Sequence, residues 1–263
     1  MTTTIARESQ IAHIPGIRQP EATALAESQN KALLHTLYSL DDAQWDAPTD
    51  CEGWSVKDIA SHIYGWAQSL TSLKETRRQV GEALRRRKEL GNILDAQNQV
   101  QADAGRAMSN ADLLLRMEEA LPRMVRRRAS WGRYGRYTPI YGPPFGLSNL
   151  GYLCNVIFTR DVFMHRIDVT RATGTELELG PDESRIVADI VREWGRGGSG
   201  DVRLELTGRA GGTFVAGSSP HTKLTGDAVE FCRFLAGRAD ASVIEATGDQ
   251  SVARRRMAAD VPF

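Results

Sequence analysis

Between Gly53 and Leu70 the chain reads GWSVKDIASHIYGWAQSL, and this segment restricts the fold more than any other. Ser55 and Asp58 stand three apart, as in a capping box with Asp in place of the usual Glu. Trp54 and Ile59 occupy the positions of a hydrophobic staple around that cap. Ile59, Ile63, Trp66 and Leu70 then recur at helical spacing, which predicts an amphipathic helix with one face to bury. Other helices must cover that face, and the sequence supplies them. Leu25, Leu33, Leu34 and Leu37 mark a helix from Glu21 to Leu40, with Pro20 suited to its first turn. Ser109 and Asp112 open a second capped helix through Leu113, Met117, Leu121 and Val125, which Pro122 should bend or shorten. A further helix runs from Asn149 through Leu153, Val156, Val162, Met164 and Ile167 to Gly174, a natural left-handed terminator.

The intervening segments are less regular. Leu73 to Ala104 is long and polar, and its Arg77, Arg78, Arg85, Arg86, Arg87 and Lys88 alternate with acidic residues, which predicts a solvated helix face. Gly132 to Ser148 concentrates Gly, Pro and Tyr and predicts a long loop. After Gly174 the pattern changes. Pro181 and Asp182 open a helix to about Trp194, Gly195 to Gly200 predicts a turn, and Val202, Leu204 and Leu206 alternate as in a strand. A run from Thr213 to Ala216, a helix from Asp227 to Leu235 and a β-type run from Ser242 to Ala246 complete the chain. The expected division is an irregular arm at 1–19, a helical bundle at 20–175 and a small mixed α+β domain at 176–263.

Charge narrows the function classes. With 33 Lys and Arg against 33 Asp and Glu among 263 residues, the chain lacks the basic excess of a nucleic-acid binder. No electrostatic barrier opposes self-association, so a homodimer stays open. The longest apolar stretches fall short of the ~20 residues a membrane span requires, and the N-terminus shows no apolar signal region. Three scattered cysteines, Cys51, Cys154 and Cys232, make no disulfide framework, so a reducing cytoplasm is the simplest setting. The glycine-rich GRGGSG lacks the lysine of a phosphate loop, and no G-x-S-x-G elbow occurs.

Two histidines lie on apolar helix faces. His62 sits between Ile59 and Trp66, and His165 follows Asp161 by four residues, so the latter pair projects from one side of its helix. Two imidazoles and a carboxylate meeting in a bundle suit a divalent metal. Zinc in catalytic sites takes three protein ligands and leaves one position open, and ferrous iron accepts the same set. A satisfied core histidine beside an ordinary aspartate remains the alternative. Cys51 and Cys154 show no basic partner in the sequence and are not expected to be nucleophiles.

These segments carry a resemblance. GWSVKDIASHIYGW resembles the GW-x-V-x-D-x-x-x-H-L segment of the DinB-like mycothiol-dependent proteins, the group that includes mycothiol-dependent maleylpyruvate isomerase. RDVFMHRIDVTRATG is similar to that family's closing helix, and LELTGRAGGTFVAG with LTGDAVEFCRFLAGR resembles its small sterol-carrier-like domain. The resemblance covers roughly residues 20–250. It implies an α+β chain in which a DinB-like four-helix bundle precedes a sterol-carrier-like domain. His62, Asp161 and His165 would hold a divalent metal, zinc in this family, with mycothiol as cosubstrate. The family's isomerase is expected to carry Glu at the position of Asp161, one methylene longer.

The resemblance further implies that a metal-activated thiolate attacks a small electrophile, as an isomerase or an S-transferase. Arg238 matches a family arginine and suits a carboxylate clamp, although a helix-terminal role is equally open. Asp168, three residues after His165, is a candidate support for a ligating imidazole. Tyr134, Tyr137 and Tyr141 precede the ligand helix and are expected to line a substrate entrance. Two other readings stay open: a metal enzyme that uses no thiol, whether hydrolase or biosynthetic, and a non-catalytic small-molecule binder.

Overall fold

The computed structural model describes residues 8–142 and 146–263, with backbone alone at 141 and 142. Contacts divide the chain into two compact units, one of residues 22–140 and 148–177, the other of 178–263 with the N-terminal residues to 21 and the segment 141–147. The chain begins with strand β1 (Glu8–Gln10) and a 3-10 turn (Ile11–His13), followed by α1 (Glu21–Tyr38), α2 (Asp42–Trp45), α3 (Val56–Thr71), α4 (Leu73–Arg86), α5 (Ile93–Arg106) and α6 (Asn110–Tyr134). A two-stranded ribbon follows, β2 (Pro139–Gly142) with β3 (Gly146–Asn149). Then α7 (Leu150–Tyr152) passes through a π turn (Leu153–Ile157) into α8 (Phe158–Thr173).

The first unit is a four-helix bundle of α1, α3, α6 and α8. Its core joins Leu33 and Leu37 of α1, Val56, Ile59, Ile63 and Ala67 of α3, Leu113, Met117 and Leu121 of α6, and Val162 and Val169 of α8. The expected cap of α3 is complete. Ser55 Oγ accepts from the Asp58 amide, and Asp58 Oδ2 accepts from the Ser55 amide. At α6 only half of the box forms: Ser109 Oγ accepts from the Asp112 amide, while the Asp112 carboxylate takes the Ser109 hydroxyl. The helix also continues through Pro122 without shortening, because one missing amide bond is a small fraction of a 25-residue helix packed along its length.

The polar stretch from Leu73 onward is two helices with an interior face. Arg78 and Arg86 do pair with Glu75 and Asp103 near the surface. Inside, Gln79, Gln97 and Gln101 are buried; the Gln79 amide donates to the Gly65 carbonyl at 2.9 Å, and Gln101 donates to the Gln79 carbonyl oxygen at 2.9 Å. Buried amides that bond one another avoid the penalty of unpaired polar groups. The helices α3 and α5 approach so closely that a β-carbon at Gly105 would run into Ser61.

The second unit contains α9 (Pro181–Gly197) and a five-stranded sheet. The remaining elements are β4 (Val202–Thr207), β5 (Gly212–Ala216), β6 (Thr222–Asp227), α10 (Ala228–Leu235), β7 (Glu245–Thr247) and α11 (Gln250–Met257). The strand order is β1-β5-β4-β6-β7, with β4 antiparallel to β5 and parallel to β6. Val202, Leu204 and Leu206 face inward as their alternation predicts and are buried, as are Ile186, Ile190 and Trp194 of α9. Trp194 meets Phe231 edge-on at 5.5 Å.

Three readings of the sequence change. Residues 8–13 are ordered, not an irregular arm, because β1 supplies backbone partners to the edge of β5 and Ile11 is buried. The expected loop at 132–148 is instead the end of α6, a 3-10 turn (Gly135–Tyr137) and the ribbon, while its residues 143–145 lie outside those described. Helix α9 runs to Gly197 into the expected turn, and Arg256 holds the carbonyls of Gly195 and Gly200 there. Among the described residues no helix is long and apolar enough to cross a membrane.

The glycine contacts yield a paired expectation. Gly105→Ala should destabilise the bundle by about 1–3 kcal/mol through overpacking against Ser61. Gly81→Ala, on a part-exposed face of α4 where nothing lies within 4 Å, should be neutral or stabilise by about 0.5–1 kcal/mol. Urea titration of both variants measures the contrast.

Candidate metal centre

The cap of α3 sets the phase that turns His62 into the bundle, where it is 2% exposed. From α8 come Asp161 and His165, four residues and about one turn apart, and Asp168 follows three residues later on the same face. Before Asp161, the π turn is tied to α6. Arg128 Nε donates to the Cys154 carbonyl at 2.9 Å, Arg128 Nη2 donates to Thr159 Oγ1 at 2.6 Å, and the Asn155 amide donates to the Gly132 carbonyl at 3.3 Å.

The two helices bring His62, Asp161 and His165 together. Asp161 Oδ2 lies 3.5 Å from His62 Nε2, and Asp161 Oδ1 lies 3.4 Å from His165 Nε2. One ligating atom from each of the three falls within 4.8 Å of the others. Metal bonds of about 2.0–2.2 Å at tetrahedral angles separate neighbouring donors by about 3.4 Å, so the carboxylate-to-imidazole spacings fit a shared cation. The imidazoles stand nearly perpendicular at 5.2 Å. Each turns its Nε2 toward the carboxylate, which leaves both Nδ1 atoms facing away from it.

Asp168 fixes the second imidazole. Its carboxylate is fully buried, and Oδ2 accepts from His165 Nδ1 at 3.0 Å. That bond places the ring proton on Nδ1 and leaves the Nε2 lone pair for the site. His62 Nδ1 has no such partner among the described residues. Its ring lies instead 5.1 Å from Trp54 and 6.5 Å from Trp66. Trp66 in turn meets Phe158 at 5.2 Å, over whose ring the Arg128 guanidinium lies.

Charge in this pocket is strongly coupled. Burial alone would raise the Asp161 carboxyl, but the facing His165 and His62 outweigh it and hold it far below the usual range. Burial would lower His165, and Asp161, Asp168 and Cys51 overcome this, so it binds its proton well above an ordinary histidine. Arg128 is buried, and no carboxylate bonds it among the described residues; desolvation pulls it down to about 10, with Asp161 and Cys154 acting in the opposite direction. Burial also raises the Cys154 thiol to about 11, which leaves it inert at neutral pH.

The other residues singled out in the sequence are placed as follows. Arg238 belongs to the second unit, beyond the end of α10, where its guanidinium donates to the Ala236 carbonyl at 3.4 Å. Tyr134 and Tyr137 are 67% and 73% exposed, and Arg136 covers the Tyr137 ring at 4.6 Å. The side chain of Tyr141 lies outside the described residues. Sequence reasoning missed Cys51, which stands 3.3 Å from Asp168 Oδ2 and 3.9 Å from His165 Nδ1. The separation in sequence, 114 residues from His165, conceals its basic neighbour.

The sequence profile described as Mycothiol maleylpyruvate isomerase N-terminal domain matches residues 26–170, which contain this whole constellation. The chain belongs to that family. Beyond the matched region, a solved mycothiol-dependent maleylpyruvate isomerase shares the fold of this family member across 92% of this chain and 97% of its own, at a TM-score of 0.56 and 15% identity. A histidine-to-alanine mutant of that enzyme gives 0.55 at the same identity and coverage. No curated protein matches the sequence significantly.

The coupled charges define a pH dependence for the metal-free protein. His165 gains proton affinity on folding, so its stabilisation is complete below the ordinary histidine value of about 6.5 and fades as pH rises through the elevated one. The stability difference between chelator-treated wild type and His165→Gln should therefore shrink from pH 6 toward alkaline pH in thermal melts. Asp161 has the opposite sign, its contribution lost only in acid.

Proposed function

We propose that this chain is a metal-dependent enzyme that adds a low-molecular-weight thiol, mycothiol, to a small electrophile. The observation that carries the reading is the set of two imidazole nitrogens and one carboxylate oxygen within 4.8 Å, inside the family-matched region. His62, Asp161 and His165 would hold the cation. Zinc suits this mixed nitrogen and oxygen set, which resembles three-ligand catalytic sites more than closed structural ones. When bound there, zinc favours the thiolate form of a thiol at neutral pH.

The protein's own groups do the rest. Asp168 keeps the His165 proton on Nδ1, so Nε2 stays free to donate electrons. Trp54 and Trp66 flank the imidazoles with apolar surface, and Phe158 backs Trp66, which limits water around the imidazoles and strengthens charge interactions there. Arg128 adds a buried positive charge near Asp161 that favours an anionic reactant over a neutral one.

Thiolate addition to a double bond conjugated with a carbonyl leaves a single bond free to rotate. Expulsion of the thiolate then returns the thiol and the rotated isomer. Addition to an epoxide without expulsion is S-transfer. Both outcomes share the first bond, and the isomerase outcome also agrees with the enzyme whose fold the chain shares. Such chemistry belongs in the cytoplasm, where the thiol pool is reduced.

We also assign Arg238 to carboxylate recognition, and Tyr134, Tyr137 and Tyr141 to the substrate entrance. A planar guanidinium binds a carboxylate with two parallel bonds that a lysine does not reproduce. Arg238→Lys should accordingly raise KM for an anionic substrate more than it lowers kcat, in steady-state kinetics.

Elemental analysis tests the centre directly. The purified protein should carry about one zinc per chain, and His62→Ala or His165→Ala should lose both the metal and thiol-dependent turnover. Chelation should lower the melting temperature of the wild type, because a ligand bound only to the folded state stabilises it. Full occupancy in His62→Ala would overturn the assignment. Undiminished activity in preparations stripped of low-molecular-weight thiols would leave a metal enzyme and remove mycothiol.

A further inference from the structure

The segment between α2 and α3 is a stitched turn. Pro48 and Ser55 pair as an isolated antiparallel bridge, the Thr49 amide donates to the Trp54 carbonyl at 3.0 Å, and the Trp54 amide donates to the Cys51 carbonyl at 2.9 Å. Gly53 takes φ +77° to close it. Two side chains from this turn reach His165. The Trp54 indole lies nearly parallel to the imidazole, 6.3 Å between centroids and 23° between planes. Cys51 comes to the other nitrogen edge, its Sγ 3.3 Å from Asp168 Oδ2. That same oxygen accepts from His165 Nδ1 at 3.0 Å.

We propose that Cys51 is a positioning residue for His165, acting through Asp168. The inference rests on the metal reading given above. The thiol donates its S–H to Oδ2 and pins the oxygen that orients the imidazole. A ligating histidine points its lone pair correctly only while its second nitrogen is held, and partners of that kind set metal affinity. Cys51 does not itself join the three donors around Asp161. Its Sγ lies 3.9 Å from Nδ1, whereas Nε2 is the ring atom turned to Asp161. A thiol is also a weak donor. It neutralises little of the carboxylate charge, so Asp168 still makes the imidazole more basic. The turn thereby couples its own fold to the centre: the indole sets the plane of His165, and the thiol, through Asp168, sets its rotation within that plane.

The test uses the full chain stripped of metal, with Cys51→Ala and Cys51→Ser. Zinc affinity is read by competition with a chromogenic chelator, and metal-free stability by thermal melts. Cys51→Ala should weaken zinc binding by about three- to tenfold, less than the tenfold or more typical of removing the partner that bonds a ligand directly, here Asp168. Cys51→Ser, whose hydroxyl can donate to the same oxygen, should recover most of that affinity. General loosening of the bundle would instead lower the metal-free melting temperature and would not be rescued by serine in affinity alone. Wild-type zinc affinity in Cys51→Ala overturns the proposal, as does equal weakening by Ala and Ser. Should His62→Ala bind zinc as tightly as wild type, the metal reading itself fails. Should His62→Ala lose zinc while Cys51→Ala keeps it, only the role of Cys51 falls.

Discussion

Two imidazoles and a carboxylate held a few ångströms apart inside a bundle repel or attract according to what lies between them. In the metal-free chain that balance is struck by protons: His165 retains one far above the ordinary range while Asp161 gives its own up. His165 is buried away from the bulk water that would dissipate such a field, while Asp161 keeps a quarter of its side-chain surface exposed. A partly buried carboxylate is costly to fold around without a partner, and Asp161, a quarter exposed, is offset by the positive charge that His62 and His165 bring to it. The bundle is built so that these charges arrive together.

Their arrival depends on ordinary helix physics. A capping box at Ser55 fixes where α3 starts, and hence which of its faces carries His62. Close approach of α5 at Gly105 and a seam of buried glutamines cover the face of α3 that carries Ser61 and Gly65, beside the face that turns His62 to α8. Arg128 and Asn155 hold the start of α8 against α6. Four separate segments thus determine the position of one imidazole and one carboxylate, with no single contact dominating.

Sequence periodicity exposes the part of this that lies within single helices. Asp161, His165 and Asp168 are related by steps of four and three, so their common face is readable, and His62 follows from the cap and the apolar spacing. What eludes such reading is of three kinds. Cys51 reaches the site through a turn, and nothing local ties it to residues 114 positions away. Gln79, Gln97 and Gln101 read as solvent-facing because their pairing with one another is a tertiary property. Strand β6 carries a single large apolar residue, Leu224, and exists because β4 and β7 flank it. The ribbon after α6 is similar: glycine and proline announce chain reversal, but only partner strands decide whether the flanks pair.

The π turn at Leu153–Ile157 carries a geometric consequence for the centre. Each residue in a helix advances the following side chains by about 100°. A wide turn accommodates one residue more than regular winding would, and everything C-terminal to it is rotated by that amount. Asp161, His165 and Asp168 all lie beyond it. The winding of five residues, none of which carries the chemistry, therefore acts as an index on a dial: it determines whether the acidic and basic groups of α8 look toward His62 or away from it, and it moves all three as one body.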